Sequence, residues 1–306
     1  MGSDNGKMEW SGRTSRIIAA TVSLLVIAAC SAGSGSGEGT GQSQSPTDGP
    51  TAPPPTSISI KDYSTRLTKV VGPLATALDR LATAKSYKGL ERRVTDVSSA
   101  AANAATTLGP INPPAELVEP NAKLVAALQA FQGEAGRLSS KVDERSLCTG
   151  SVVRAGLGNA DATSALRTAL ASVDAKLPGD QPALKLPAAG QKAGPRPSNG
   201  RYVRDGNRSG RAELAIDNGG SADAVVTLSE GGKTAISVYV RKGKAYTVKK
   251  VSDGSYAVFF SGGSGWDDAA HAFGKNCSFS RFEDPLKFRT TRDARGIYWQ
   301  NFRITL

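Results

Sequence analysis

The hydrophobic period of this chain changes once, across a stretch rich in proline and glycine, and that change limits the folds open to it. Upstream, over residues 57–178, apolar side chains recur three and four apart; downstream, over residues 200–306, they recur two apart. Between them residues 178–200 read PGDQPALKLPAAGQKAGPRPSNG. A helix buries one face at a period of 3.6 residues and a strand buries one at a period of two. The expected fold class is therefore multidomain α and β. An N-terminal antiparallel helical bundle of about four helices (57–178) precedes a linker (179–199) and a C-terminal antiparallel β-sandwich-like domain (200–306).

The first helical segment carries Tyr63, Leu67, Val70, Val71, Leu74, Ala77, Leu78 and Leu81 on one face, with Pro73 expected to kink or interrupt it. Leu90, Val94, Val97, Ala101, Ala104 and Leu108 repeat the spacing until GPINPP at 109–114 breaks it. A third segment, with Leu124, Leu128, Phe131, Ala135 and Leu138, starts near Pro120 as a first-turn proline. Asp161 is placed to cap a fourth, which carries Leu166, Leu170, Val173 and Leu177. In the β half, Ala212/Leu214/Ile216, Ile236/Val238/Val240 and Phe302/Ile304/Leu306 alternate with their neighbours. Asn218-Gly219, Gly231-Gly232, Lys242-Gly243 and Asp253-Gly254 mark turns between seven to nine short strands.

The N-terminal end has a different character. Lys7, Arg13 and Arg16 precede Ile17–Ala29, an apolar run that stops at Cys30. This is the layout of a secretory signal over residues 1–29, and at about 20 Å of helix it is too short to span a membrane. Ile27-Ala28-Ala29-Cys30 resembles the lipobox of bacterial lipoprotein precursors. The resemblance implies cleavage between Ala29 and Cys30 and a diacylglycerol on the Cys30 thiol, which anchors the chain to the outer face of the cell membrane. Residues 30–56, rich in Gly, Ser and Pro, hold almost nothing to bury and read as a disordered tether.

The C-terminal half resembles an uncharacterised extracytoplasmic β module of actinobacterial (high-GC Gram-positive) lipoproteins and membrane kinases. DAVV at 223–226, VYVRKG at 238–243 and WDD…F…CSFSRFEDP at 266–285 carry the likeness. It implies location and architecture and attaches no activity.

The formal charge is +11. Most of it sits in residues 181–306, which hold 20 basic and 11 acidic side chains. Such a field suits an anionic partner, and export turns the choice from nucleic acid toward anionic wall polymer, lipid or an envelope protein. A solvated basic surface is the plain alternative. Candidate ligand contacts are Arg241, Lys242, Lys244, Lys249 and Lys250, with Trp266 as a stacking surface.

Catalytic chemistry finds little support. His271 is the one histidine, so a multi-histidine metal site is excluded, and Ser264 in SGGSGW lacks the spacing of a nucleophile elbow. Asp267 and Asp268 read either as turn caps or as a cation or sugar contact. GLGNAD at 156–161 lies among helices and not after a strand, so it is no dinucleotide fingerprint. No cofactor and no enzyme activity are expected. In an oxidising compartment Cys148 and Cys277 either pair across the two halves or remain as buried thiols. The expected function is a membrane-anchored, non-enzymatic binding module; the alternative is a structural or signalling accessory docking through its helices.

Overall fold

The computed structural model describes residues 56–84, 87–179, 184–189, 194–206 and 208–306. The expectations at Ala29 and Cys30, and the tether up to residue 55, lie outside them. Thr56–Leu306 form one compact unit of mixed α and β structure, with helices in the first half and a largely antiparallel set of strands in the second.

Among the described residues five α-helices precede the strands: α1 Ile60–Ala82, α2 Leu90–Leu108, α3 Val118–Asp143, α4 Gly150–Gly158 and α5 Asp161–Asp174. Ser59 starts α1, its hydroxyl accepting the Asp62 N–H at 3.1 Å. Pro73 does not end α1. It lies on the exposed side, where solvent reaches the carbonyl that its missing N–H leaves unbonded. Pro120 falls in the first turn of α3, where a lost donor costs nothing. Asp161 is the first residue of α5 and not its cap; the cap position is Ala160. Helix α4 is the one that periodicity passes over, because three of its nine residues are glycine.

The inward faces of the helices share one apolar core, from Tyr63 and Leu74 through Leu90, Val97, Leu124 and Phe131 to Leu157, Leu166 and Val173. Burial pushes the Tyr63 phenol up to about 12, and its hydroxyl donates to Asn121 Oδ1 at 2.9 Å.

Eleven strands follow: β1 Tyr202–Asp205, β2 Ala212–Asn218, β3 Asp223–Glu230, β4 Lys233–Val240, β5 Lys244–Val251, β6 Gly254–Asp267, β7 Ala272–Arg281, β8 Leu286–Phe288, β9 Thr290–Asp293, β10 Gly296–Trp299 and β11 Phe302–Thr305. The largest sheet runs β1-β4-β3-β6-β7, with β8 paired to the start of β6. A three-stranded sheet runs β11-β2-β5, and β9 and β10 pair only with each other. One apolar cluster takes Val226, Leu228, Ile236, Val238 and Val258 from the first sheet and Leu214, Ile216, Val248 and Ile304 from the second.

One expectation of topology changes: the β11–β2 pair is parallel, so the strands are not all antiparallel. Asp253-Gly254 does separate two strands, and it carries the chain from one sheet to another, since β5 and β6 belong to different sheets. Of the marked turns, Gly231-Gly232 joins paired neighbours, β3 and β4, and both of its glycines have positive φ.

The helical and strand regions meet along the outer edge of β7. Leu147 pairs with Lys275 as an isolated antiparallel bridge, while Cys148 N–H donates to Gly274 O at 2.8 Å and Cys277 N–H to Arg145 O at 3.0 Å. The segment after α3 thus covers part of an edge that would otherwise present unpaired amides. Gly274 permits the approach, because a Cβ there would lie 2.5 Å from Val152 Cγ2 and 2.9 Å from Gly265 O. Cys148 and Cys277 are joined by a disulfide across the same seam.

Candidate functional site

The basic residues singled out in sequence do not gather into one patch. Lys242 and Lys244 stand at the start of β5, while Lys249 and Lys250 stand near its end, about 17 Å away at roughly 3.4 Å per residue. Arg241 is engaged within the chain: its Nε donates to Pro197 O at 2.7 Å, and its backbone N–H to Asn199 Oδ1 at 2.9 Å. The Lys242 backbone N–H donates to Asp223 Oδ1 at 2.8 Å.

The Arg241 bonds belong to a strap formed by residues 194–201, which also reaches Asp223. Arg196 Nε reaches Asp223 Oδ2 at 2.7 Å, its second arm takes the other oxygen, and the Tyr239 hydroxyl donates to the same carboxylate. The Arg196 hydrogen bonds, helped by Tyr239 and the Lys242 amide, hold the Asp223 carboxyl well below the usual carboxylate range. Gly200 N–H to Tyr239 O and Tyr239 N–H to Arg201 O, each 2.8 Å, tie the strap to β4. Sequence reading saw here only a linker.

Trp266 offers no stacking surface. It is 3% exposed, packed edge-on against Tyr239 and Phe273 in a small apolar cluster on the outer face of the large sheet. Its Nε1–H donates to Asp268 Oδ1 at 2.7 Å, and Arg201 pairs with that oxygen at 2.9 Å. The indole hydrogen bond, followed by Arg201, lowers the Asp268 carboxyl. Asp267 caps its own turn by accepting the Ala269 and Ala270 amides, each at 3.1 Å, and also accepts the Ser151 hydroxyl from α4. His271 is exposed in that turn, and the β6–β7 register sets Ser264 opposite Lys275, four residues or about 14 Å of extended chain away from it. Among the described residues no cluster of His, Cys, Asp and Glu is arranged for a metal ion.

The other end of β5 is where cations collect. A bulge between the Leu214–Val248 and Ala212–Val251 pairs lets both valines face the core while Lys249 and Lys250 face solvent, with Lys250 at φ 61. Arg211 precedes Ala212 in the facing strand, and Gly210 N–H donates to Lys250 O at 3.1 Å. Asp253 then accepts both the Thr290 amide and its hydroxyl at 2.8 Å, fixing the foot of the β9–β10 hairpin to this end. Arg211 lies 6.0 Å from the Trp299 ring centre.

The hairpin, within FRTTRDARGIYW at 288–299, carries Arg289, Arg292 and Arg295, all exposed. Its one acid, Asp293, is turned onto its own tip, accepting the Arg295 and Gly296 amides at 2.7 and 3.1 Å. No salt bridge among the described residues engages these three arginines. Tyr298 and Trp299 follow, 49% and 44% exposed. Sequence reading missed this stretch; three arginines, a turn and two adjacent aromatics within twelve residues were the available signal.

The other exposed aromatics are differently placed. Phe279 packs against Tyr87 from the helical side at 5.6 Å, and Arg281 lies over Phe259. On the described helices, Val118 is the one large apolar side chain left exposed, which makes no stripe for a docking partner.

No family model, curated protein or solved structure matches this chain. The reading of the site rests on its own geometry.

Proposed function

We propose that this protein is a non-enzymatic, lipid-anchored extracytoplasmic binding protein that engages an anionic component of the cell envelope through the basic, aromatic end of its β region. The observation that carries the reading is the set of three arginines with no acidic partner among the described residues, beside exposed Tyr298 and Trp299, with Arg211, Lys249 and Lys250 on the same end. Each such cation contributes about 1 kcal/mol close to an anionic surface. Anchoring follows from the lipobox-like Ile27–Cys30 and the actinobacterial lipoprotein resemblance. Two acyl chains give the stable attachment that one does not. The Gly/Ser/Pro-rich composition of residues 30–56 suits a tether that lets the body meet wall polymer, lipid or a neighbouring protein.

In this reading the helices act as an antiparallel bundle that stiffens the body. The two main sheets form a sandwich around their common apolar cluster, which presents the basic end outward. The experiment is cosedimentation of residues 56–306 with envelope fractions across a salt series. Saturable binding that survives about 0.3 M salt, where the Debye length is near 6 Å, and that is lost on K249E/K250E together with R292E/R295E supports the proposal. Binding unchanged by those reversals refutes it.

A further inference from the structure

Resting on that reading, we infer that the component is an anionic lipid bilayer, and that the β9–β10 hairpin enters its headgroup layer with Trp299 and Tyr298. The shape of the element is the first argument. A groove that takes a polymer holds it between two walls, with aromatics converging on one line. Here β9 and β10 form a ribbon of two strands that pairs with no third. Neighbouring residues on a strand point to opposite faces, so Tyr298 and Trp299 emerge on different sides, yet both are nearly half exposed. Both faces of the ribbon are therefore open at that level. An isolated pair of strands is marginally stable in water, which makes an embedding surface a better complement than a line of contacts.

The side chains fit the same layer. Tyr and Trp combine an apolar body with a polar edge and settle at the boundary between headgroups and hydrocarbon. Arg289, Arg292 and Arg295 complement anionic headgroups, and the planar guanidinium binds phosphate through paired N–H donors. The anchorage supplies the third argument. Asp253 grips Thr290 at the foot, directly opposite Trp299 in the ladder, so the aromatic pair is presented from a fixed base with Lys249, Lys250 and Arg211 beside it, and the ribbon lies along the headgroup layer with Arg292 and Arg295 toward its tip.

The test uses residues 56–306, the compact unit, whose tryptophans are Trp266 and Trp299. The protein is titrated with vesicles of phosphatidylglycerol in phosphatidylcholine, some carrying bromine on the acyl chains, and separately with soluble polyglycerol phosphate. Expected are a blue shift in emission and quenching by the brominated chains. Both disappear in W299F, while the emission of buried Trp266 persists and reports an intact fold. R292Q/R295Q lowers vesicle partitioning about thirtyfold, from about fivefold per arginine. Vesicle binding without acyl-chain quenching, competed fully by polyglycerol phosphate, overturns the bilayer inference and leaves the anionic-binding proposal standing. Binding to neither overturns the bilayer inference, and the envelope-fraction cosedimentation then decides the anionic-binding proposal.

Discussion

The disulfide offers the most quantitative check on how the two halves are joined. Cys148 and Cys277 are 129 residues apart in sequence, so the bond closes a long loop in the unfolded chain. The chain-entropy relation gives about 17 cal/mol/K for a loop of that length, or about 5 kcal/mol at 25 °C. The folded seam has bonds of its own that do not need sulfur: Cys148 N–H to Gly274 O and Cys277 N–H to Arg145 O are backbone contacts that alanine retains. C148A/C277A therefore removes the cross-link while leaving the native clamp, and the loss falls mainly on the unfolded side of the equilibrium. Urea unfolding of residues 56–306, oxidised wild type against the double variant, should show a loss of about 3–5 kcal/mol. The slope against urea should rise, because the uncrosslinked chain exposes more surface when it unfolds. Reductant should bring the wild type to the variant and leave the variant unmoved. A difference below about 1 kcal/mol with equal slopes would refute the reasoning, since the loop would then lose no freedom that the bond restrains.

The strap makes stability depend on acid. Asp223 is depressed in the folded state, so its contribution is fully present above the unfolded carboxylate value near 3.9 and is lost as pH falls toward the folded one. D223N should cost about 2 kcal/mol at pH 7, a figure reduced because Arg196 is 54% exposed. Denaturant melts should show the gap narrowing below about pH 4; a gap independent of pH would remove the carboxylate from the account. Lys250 holds a left-handed backbone at φ 61, so K250G should stabilise by about 0.5–1 kcal/mol while K249G, at an ordinary position, destabilises; thermal melts of the pair decide it. G274A should destabilise by about 1–3 kcal/mol because its methyl meets Val152 at 2.5 Å, and adding V152A should recover part of the loss in a double-mutant cycle.

What the chain shows before folding and what it conceals divide along physical lines. The helices were legible where one face is buried, because Leu90 to Leu108 or Leu124 to Leu138 repeat a pattern that only a core imposes. Helix α4 was not, since close packing of Gly150 against Leu81 O and Ala84 calls for small residues, and small residues read as loop. Strand positions were legible from alternation, but not which sheet each strand joins: Asp253-Gly254 signals a change of direction, and nothing local says that β5 and β6 then part company. Trp266 was misplaced for a related reason. Tyr239 and Phe273, which bury it, come from other strands of the same sheet, and the indole's partner Asp268 was read only as a cap or contact.

Charge misled through geometry. Lys242, Lys244, Lys249 and Lys250 are neighbours in sequence, yet an extended strand carries one pair away from the other, whereas Arg211 and Lys250 are distant in sequence and lie at the ends of paired strands, and Asp253, three residues on from Lys250, holds Thr290. The hairpin itself escaped notice because a ribbon open on both faces has no inward side, hence no alternation of apolar and polar residues to find. That same absence bears on function. A segment that folds as paired strands, yet spends two large aromatics on solvent and has three arginines with no acidic partner among the described residues, gains little of its own stability from them. It is the composition that the proposed contact with an anionic surface calls for.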